Sequence, residues 1–278
     1  MNQPQIIGIV LVRNEECFVE QVICNIFSFC DRLLLVDHES SDGTLAILQR
    51  FQQEHPEKIA LHRIHHPRES HELLKPFVGT RTWVFGVDGD ELYDPERLML
   101  FRERLLSGEF DREWMILGNV LHVEKLEGAT AAGYLTPPSR SITKLYNFGA
   151  IESWEGETLE RLHGGNPVFR PGFHEQKKRK LFEEEAWDAA SLRCLHLCFI
   201  PRSRNTLTKV RKNIMETYSR GLVTSMKNKI RLLARDLLGV SEDSSWKNEH
   251  YARGERHVKD ATPFLKNTRR NGRDEKMK

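Results

Sequence analysis

Two aspartates one residue apart, Asp88 and Asp90, close the apolar run Trp83-Val84-Phe85-Gly86-Val87, with Gly89 between them. Carboxylates that face a crevice at the end of a buried strand repel each other unless a cation or solvent offsets their charge. Oxygen donors of this kind suit Mg²⁺ or Mn²⁺, with substrate phosphates completing the coordination sphere. A solvated Asp-Gly turn would carry the same residues. A second polar group, Asp37-His38-Glu39-Ser40-Ser41-Asp42-Gly43-Thr44, follows the apolar run 32–36. A carboxylate there can accept hydrogen bonds from a ribose hydroxyl or a base N–H, while Ser40, Ser41 and Asp42 also suit helix capping. A third group, Arg13-Asn14-Glu15, follows an Ile- and Val-rich run that ends at Val12.

Alternating strands and helices are what would position these groups. Residues 6–12, 32–36, 58–64 and 81–87 are the short apolar runs of strands buried on both faces. Phe18, Val22, Ile23, Ile26, Phe27 and Cys30 recur at helical spacing, in a helix read from Cys17 that would also hold Cys24. A second helix is expected over 45–54, and Pro95 suits the first turn of a third running to 105. This alternation predicts parallel βαβ units, whose ligand crevice lies at the C-terminal ends of the strands. All three polar groups fall at such ends. The middle is less regular. Strands are expected over 114–123, 141–147 and 192–200, a loop over 128–139, and a flexible acidic stretch over 156–165. Beyond Pro201 the pattern predicts basic helices over 205–218 and 227–238, with an apolar stripe from Ile230 to Leu238, and a frayed tail over 266–278.

The 278 residues carry a net charge of only +2, but that total averages two unlike parts. Residues 1–200 hold 22 basic and 31 acidic side chains, a net of −9; residues 201–278 hold 20 and 9, a net of +11. A basic end of this kind suits an anionic membrane surface or a solvated helical face. Nucleic acid is not expected as a partner, because no zinc-finger or RNP-like motif accompanies the charge. No secretory signal is evident and no apolar run approaches the ~20 residues that span a bilayer. Five cysteines, three of them near one helix, favour a reduced cytoplasmic compartment.

Taken in order, the Arg-Asn-Glu, Asp-x-x-Ser-x-Asp-Gly-Thr and Asp-x-Asp motifs resemble the family 2 glycosyltransferases of GT-A fold. The resemblance covers roughly residues 5–105 and fades to scattered matches by about residue 200. It implies an α/β fold with a central, mostly parallel sheet. Residues 1–200 would be the GT-A domain, with a nucleotide-sugar-binding half (1–105) and an acceptor half (106–200), and 201–278 a basic helical extension. The implied reaction moves a sugar, with inversion and with Mn²⁺ or Mg²⁺, from a nucleotide-diphosphate sugar to the hydroxyl of a glycan or lipid-linked acceptor. Cell-surface glycan assembly at the inner membrane face is the implied setting. Val12, Arg13, Asn14, Glu15, Asp37, Asp88 and Gly89 would meet the donor: Asp37 by the nucleoside, Asp88 at the ribose. Asp90 would meet the metal-bound diphosphate, with Asp88 and His196 as further candidate ligands. Many members have a second Asp after the position of Asp37; His38 stands there and leaves the base preference open.

The family also places a catalytic carboxylate in the acceptor half, to take the proton of the attacking hydroxyl. Glu160 is favoured, since Glu160-Arg161-Leu162 resembles the acidic-then-apolar pattern, with Glu157 and Glu155 as alternatives. Cys194-x-His196-x-Cys198 would share one face of a strand, but no second cysteine pair exists to complete a zinc site. The cluster His62, His65, His66 and His71 reads as solvated surface. Two other functions fit parts of the pattern. A haloacid-dehalogenase-type phosphatase would want Thr or Val where Leu92 stands, and its aspartates on the first strand. A non-catalytic carbohydrate-binding or scaffold protein would keep the fold without the chemistry. A nucleotidyltransferase lacks its Gly-rich loop, for which Ile9-Val10-Leu11-Val12 leaves no room.

Overall fold

The computed structural model describes residues 4–204 and 245–266. The helices expected over 205–218 and 227–238, the Ile230 to Leu238 stripe and the tail beyond 266 lie outside the described residues. The chain begins with β1 (Gln5–Val12), α1 (Val19–Phe27), β2 (Arg32–Asp37), α2 (Thr44–Glu54), β3 (Ile59–Arg63) and a short α3 (Glu69–Glu72). Then come β4 (Thr82–Asp88), β5 (Glu91–Tyr93) and α4 (Pro95–Leu106). Strand β1 is buried from Ile6 to Val12. Its alternate side chains feed two apolar clusters: Ile6, Val10 and Val12 join the one under α1 and α4, while Ile7, Ile9 and Leu11 join the other. Each such side chain contributes roughly 1.5–3 kcal/mol, which is why this run cannot face water on either side.

The remaining elements are β6 (Met115–Leu117), β7 (Asn119–Glu127), β8 (Thr130–Leu135), β9 (Lys144–Asn147), β10 (Ile151–Glu160), β11 (His163–Phe169) and β12 (Lys178–Lys180). They are followed by α5 (Leu181–Glu184), β13 (Arg193–His196), α6 (Ser245–Tyr251), β14 (Arg256–Asp260) and α7 (Thr262–Leu265). The main sheet has seven strands in the order β12-β6-β9-β4-β1-β2-β3, parallel except for β9. This is the expected α/β architecture on a mostly parallel sheet. Register pairs Val12 with Asp37 and Leu11 with Asp88, so the polar ends of β2 and β4 flank β1 at one edge. A second sheet, β14-β8-β7-β13-β5, packs beside it, and β10-β11 form a separate hairpin. No helix among the described residues is long and apolar enough to cross a membrane.

Several expected elements differ. The run 114–123 is two strands in two sheets, broken at Gly118, where an added Cβ would lie 2.6 Å from both Cγ and the carbonyl oxygen of Leu192. The expected loop 128–139 contains β8, and the stretch 156–165 is the tip of the β10-β11 hairpin rather than a flexible segment, with Gly164 and Gly165 at φ 75° and 66°. Helix α1 excludes Cys17, because a turn onto the Glu15 carbonyl precedes it, and Cys30, because it ends at Phe27 with Ser28 as its C-cap. Strand β13 stops at His196, since Leu197 N donates to Asp90 O at 2.9 Å instead. All five cysteines are free thiols.

Candidate active site

The loops after β1 and β2 are laced together by polar side chains. Asn14 adopts φ 56°, a left-handed conformation that Asn tolerates better than most residues. Its N–H donates to Ser40 Oγ at 3.0 Å, and its Oδ1 accepts from Ser41 N at 2.7 Å. Glu15 N donates to Thr44 Oγ1 at 2.7 Å. Ser40 and Ser41, read as candidate helix caps, instead brace the β1 loop together with Thr44. Asp37, fully buried at the end of β2, has its Oδ2 3.4 Å from Ser40 N and 3.8 Å from Arg63 Nε. Its Oδ1 has no hydrogen-bond partner among the described residues, a costly state for a buried carboxylate.

Asp88 and Asp90 diverge from the end of β4. Gly89 lets them do so against the β1 loop, since a Cβ there would lie 2.6 Å from Glu15 Cγ and 2.8 Å from Val12 Cγ1. The expectation that the two charges are unpaired is corrected by two arginines. Arg161 Nη2 donates to Asp88 while its Nη1 donates to Val87 O at 2.8 Å. Burial works to raise the Asp88 carboxyl, but the charge and hydrogen bond of Arg161 prevail and bring it down to about 2. Asp90 is buried, and its Oδ2 lies 2.7 Å from Arg202 Nη1, which also reaches Glu15 Oε1 at 3.1 Å. Asp90 Oδ1, like Asp37 Oδ1, has no partner among the described residues. Glu91 was not singled out by the motifs. It is buried, its Oε2 accepts from Asp88 N at 3.3 Å and Tyr93 Oη at 3.0 Å, and burial with the charges of Asp88 and Asp90 pushes its carboxyl well above the usual range.

Glu160, at the end of β10, is buried and shares a cavity of about 260 Å³ with Asp88, Glu91 and Arg161. Its Oε1 lies 3.4 Å from Arg161 Nη2 and 3.9 Å from His163 Nε2. The alternatives sit elsewhere. Glu155 is exposed and accepts from Ser153 Oγ at 3.1 Å, and Glu157 is exposed and 3.3 Å from Arg68. Arg161 has φ 33°, held by its N–H to Ser70 Oγ at 2.8 Å and by His71 Nδ1 at 2.6 Å from its carbonyl. His71 is therefore a buried support of the site, which corrects its reading as solvated surface. No motif marked Ser70 or His71, because the residue they hold is 90 positions away.

The candidate metal ligands combine carboxylate oxygens with one imidazole. His196 Nε2 is 3.6 Å from Asp90 Oδ2, and its Nδ1 is 2.8 Å from Nδ1 of His122, a residue the sequence reading missed. Burial lowers the His196 imidazole's affinity for protons, which leaves the neutral form that binds metals. The unmatched Oδ1 of Asp90 and the nearby His196 imidazole are donor types that suit Mn²⁺ or Mg²⁺, whereas Asp88 is turned to Arg161 and is not among the donors grouped within 4.8 Å of one another. Cys198 joins His122 and His196 in a softer group, with donor atoms within 4.8 Å of one another. There His122 is already committed, with Nδ1 on His196 and Nε2 2.7 Å from Arg140 O.

No family model matches the chain, and no curated protein matches it. Solved structures do. Glucosyl-3-phosphoglycerate synthase from Mycobacterium tuberculosis, in complex with Mn²⁺, UDP and glucosyl-3-phosphoglycerate, matches at 19% identity and TM-score 0.28 over 43% of this chain and 44% of that one. The inositol-1-phosphate CTP transferase from T. maritima matches at 13% identity and TM-score 0.35 over 79% and 98%. A mannose-6-phosphate isomerase from Helicobacter pylori matches at 11% and 0.36 over 52% and 71%. Likenesses this distant support no inference about activity, which rests on the site's own geometry.

Proposed function

We propose that the chain is a metal-dependent inverting glycosyltransferase of the family 2 type, using a nucleotide-diphosphate sugar and a hydroxyl acceptor. One observation carries the reading: Asp37, at the end of β2, and Asp90, in the turn after β4, each bury a carboxylate oxygen with no partner among the described residues, beside the two strands that flank β1. The strand order reverses between β1 and β4, where open α/β sheets bind their ligands. Unmatched buried acceptors there are supplied by donors from a ligand. Asp37 would accept from the nucleoside and Asp88 from the ribose. Asp90, Asp88 and His196 would hold Mn²⁺ or Mg²⁺, which when bound offsets the diphosphate charge as that group leaves.

Glu160 then takes the proton from the acceptor hydroxyl. The hydroxyl oxygen bonds to the anomeric carbon from the face opposite the diphosphate, the bond to the diphosphate oxygen breaks, and the nucleoside diphosphate departs with that electron pair. Arg161 fixes Asp88 beside Glu160. A glycan or lipid-linked hydroxyl at the inner membrane face is the proposed acceptor, with the basic segment 201–278 toward the anionic surface.

Glu160→Gln keeps the shape and removes the base. Release of nucleoside diphosphate from a panel of UDP-, GDP- and dTDP-sugars should fall by roughly 10²–10⁴-fold in kcat. An unchanged kcat would remove Glu160 from the reaction. A second reading comes from Arg161 and Arg202, which already pair with Asp88 and Asp90. In it the arginines replace the metal, and turnover would persist in EDTA.

A further inference from the structure

The cavity beside Glu160 holds more positive charge than the proposed transfer step uses. Arg161 is matched by Asp88 and lies close to Glu160. Lys144 on β9 and Arg140 just before it also line the cavity. Neither is ion-paired among the described residues. Arg140 is exposed, and its backbone is pinned by N–H to His250 O at 3.1 Å and by His122 at its carbonyl, while its guanidinium makes no hydrogen bond or ion pair among the described residues. Lys144 is partly buried, and its Nζ has one partner, His163 Nε2 at 2.9 Å.

His163 is the acceptor in that bond. Burial, with the charges of Lys144 and Arg161, brings its imidazole down to about 3, so its Nε2 carries a lone pair at neutral pH. The other N–H bonds of the ammonium, and all those of the guanidinium, have no acceptor among the described residues. Burial and the repulsion of Arg161 bring Lys144 down to about 8, a cost that a bound anion offsets. Asp90, His196 and Arg202 do not line this cavity while Asp88 does, so the cavity adjoins the residues assigned to the diphosphate and extends from them toward Glu160. Glu160 does line it, which puts the cations next to the group that receives the acceptor proton. A volume of about 260 Å³ suits one compact acidic group.

We infer that Arg140 and Lys144 hold an oxyanion of the acceptor, so that the acceptor is a hydroxyl compound bearing a phosphate or a carboxylate. The assignment rests on the transferase reading, in which Glu160 is the base.

Calorimetric titration of the full chain with inorganic phosphate, and separately with acetate, tests it at ionic strength held constant with chloride. One of the two probes should saturate the wild-type protein, and that probe names the oxyanion. Arg140→Gln, an exposed substitution that the fold tolerates, and Lys144→Gln should each weaken it by about tenfold or more. The affinity for UDP, GDP or dTDP, whichever the wild type binds, should change by less than about twofold, less than one lost hydrogen bond produces. Wild-type protein that neither probe saturates would overturn the inference, as would variants that bind like the wild type. An equal loss of nucleoside diphosphate affinity would reassign the cations to the donor and overturn the acceptor assignment. Saturable probe binding with no affinity for any nucleoside diphosphate would refute the transferase reading and the acceptor assignment with it, leaving the anion site standing.

Discussion

Arg161 does at the scale of one residue what no local pattern announces. Its guanidinium spans Val87 O and Asp88 with separate N–H groups, and its backbone is held in the left-handed region by Ser70 and His71. Lysine has a point charge without that planar fork, so Arg161→Lys can serve one acceptor but not both. We predict a loss of about 1–3 kcal/mol in urea unfolding for that variant, the cost of one buried acceptor left unmatched. Stability equal to the wild type would show that solvent takes over the second bond. The sequence reading favoured Glu160 from its neighbours and passed over Arg161 one position later, whose guanidinium pairs with Asp88. Carboxylates at strand ends are visible as types in a pattern. The arginines that neutralise them come from residues 161 and 202, and only the fold brings them in.

At the scale of the element, strands buried on both faces were readable and strands with distant partners were not. β1, β2 and β4 are continuous apolar runs because α1, α2 and α4 cover one face of the sheet and the β10-β11 hairpin with the segment after α3 covers the other. β8, by contrast, reads Thr130-Ala131-Ala132-Gly133-Tyr134-Leu135, with little apolar signal. It is a strand because β7 and β14 pair with it on either side, and Gly133 permits the approach: a Cβ there would lie 1.9 Å from His122 O. Helix α4 was legible from Pro95, yet its anchor has a second function. Asp94 Oδ1 accepts from the N–H groups of Glu96 and Arg97, and its Oδ2 takes Arg193 Nη2 of β13 at 2.7 Å, with both side chains buried. Asp94→Ala removes a cap and strands a buried guanidinium. It should cost about 3–5 kcal/mol, read as a lower chemical-denaturation midpoint. A loss under about 1 kcal/mol would mean the cap alone mattered.

For the whole molecule, the division of charge acquires a structural meaning. Lys259 pairs with Asp188 at 3.0 Å, Lys266 with Glu96 at 2.9 Å and Arg256 with Glu124 at 3.3 Å. Part of the basic end is therefore spent on the acidic body, through β14 and the chain around α7, and the composition alone suggested only a solvated or membrane-facing surface. Titration is also a property of the whole. Burial pushes His163 down to about 3 and also lowers His62, His122 and His196. Unfolded imidazoles bind protons near pH 6.5, so the unfolded state takes up more protons below that pH and stability falls as pH falls. His65, raised by Glu39, works in the opposite direction but is an exposed pair. Asp88, held near 2, adds a further loss below about pH 4. The urea midpoint should therefore drop steadily from pH 7 to pH 5, and more shallowly in His163→Gln. A flat profile would show that these imidazoles stay solvated in the folded chain.

The central claim is that Asp90, with Asp88 and His196, holds a divalent cation at the end of β4. Electron paramagnetic resonance of free Mn²⁺, titrated against the full chain with UDP or GDP present, tests it without relying on turnover. The wild-type protein should remove the free-ion signal in a saturable way, and Asp90→Ala should need at least about tenfold more protein to do so, because losing a direct ligand costs no less than losing a group that only orients one. Equal Mn²⁺ affinity in the two proteins, or no saturable binding by the wild type, would contradict the account and leave Arg161 and Arg202 as the groups that meet the diphosphate.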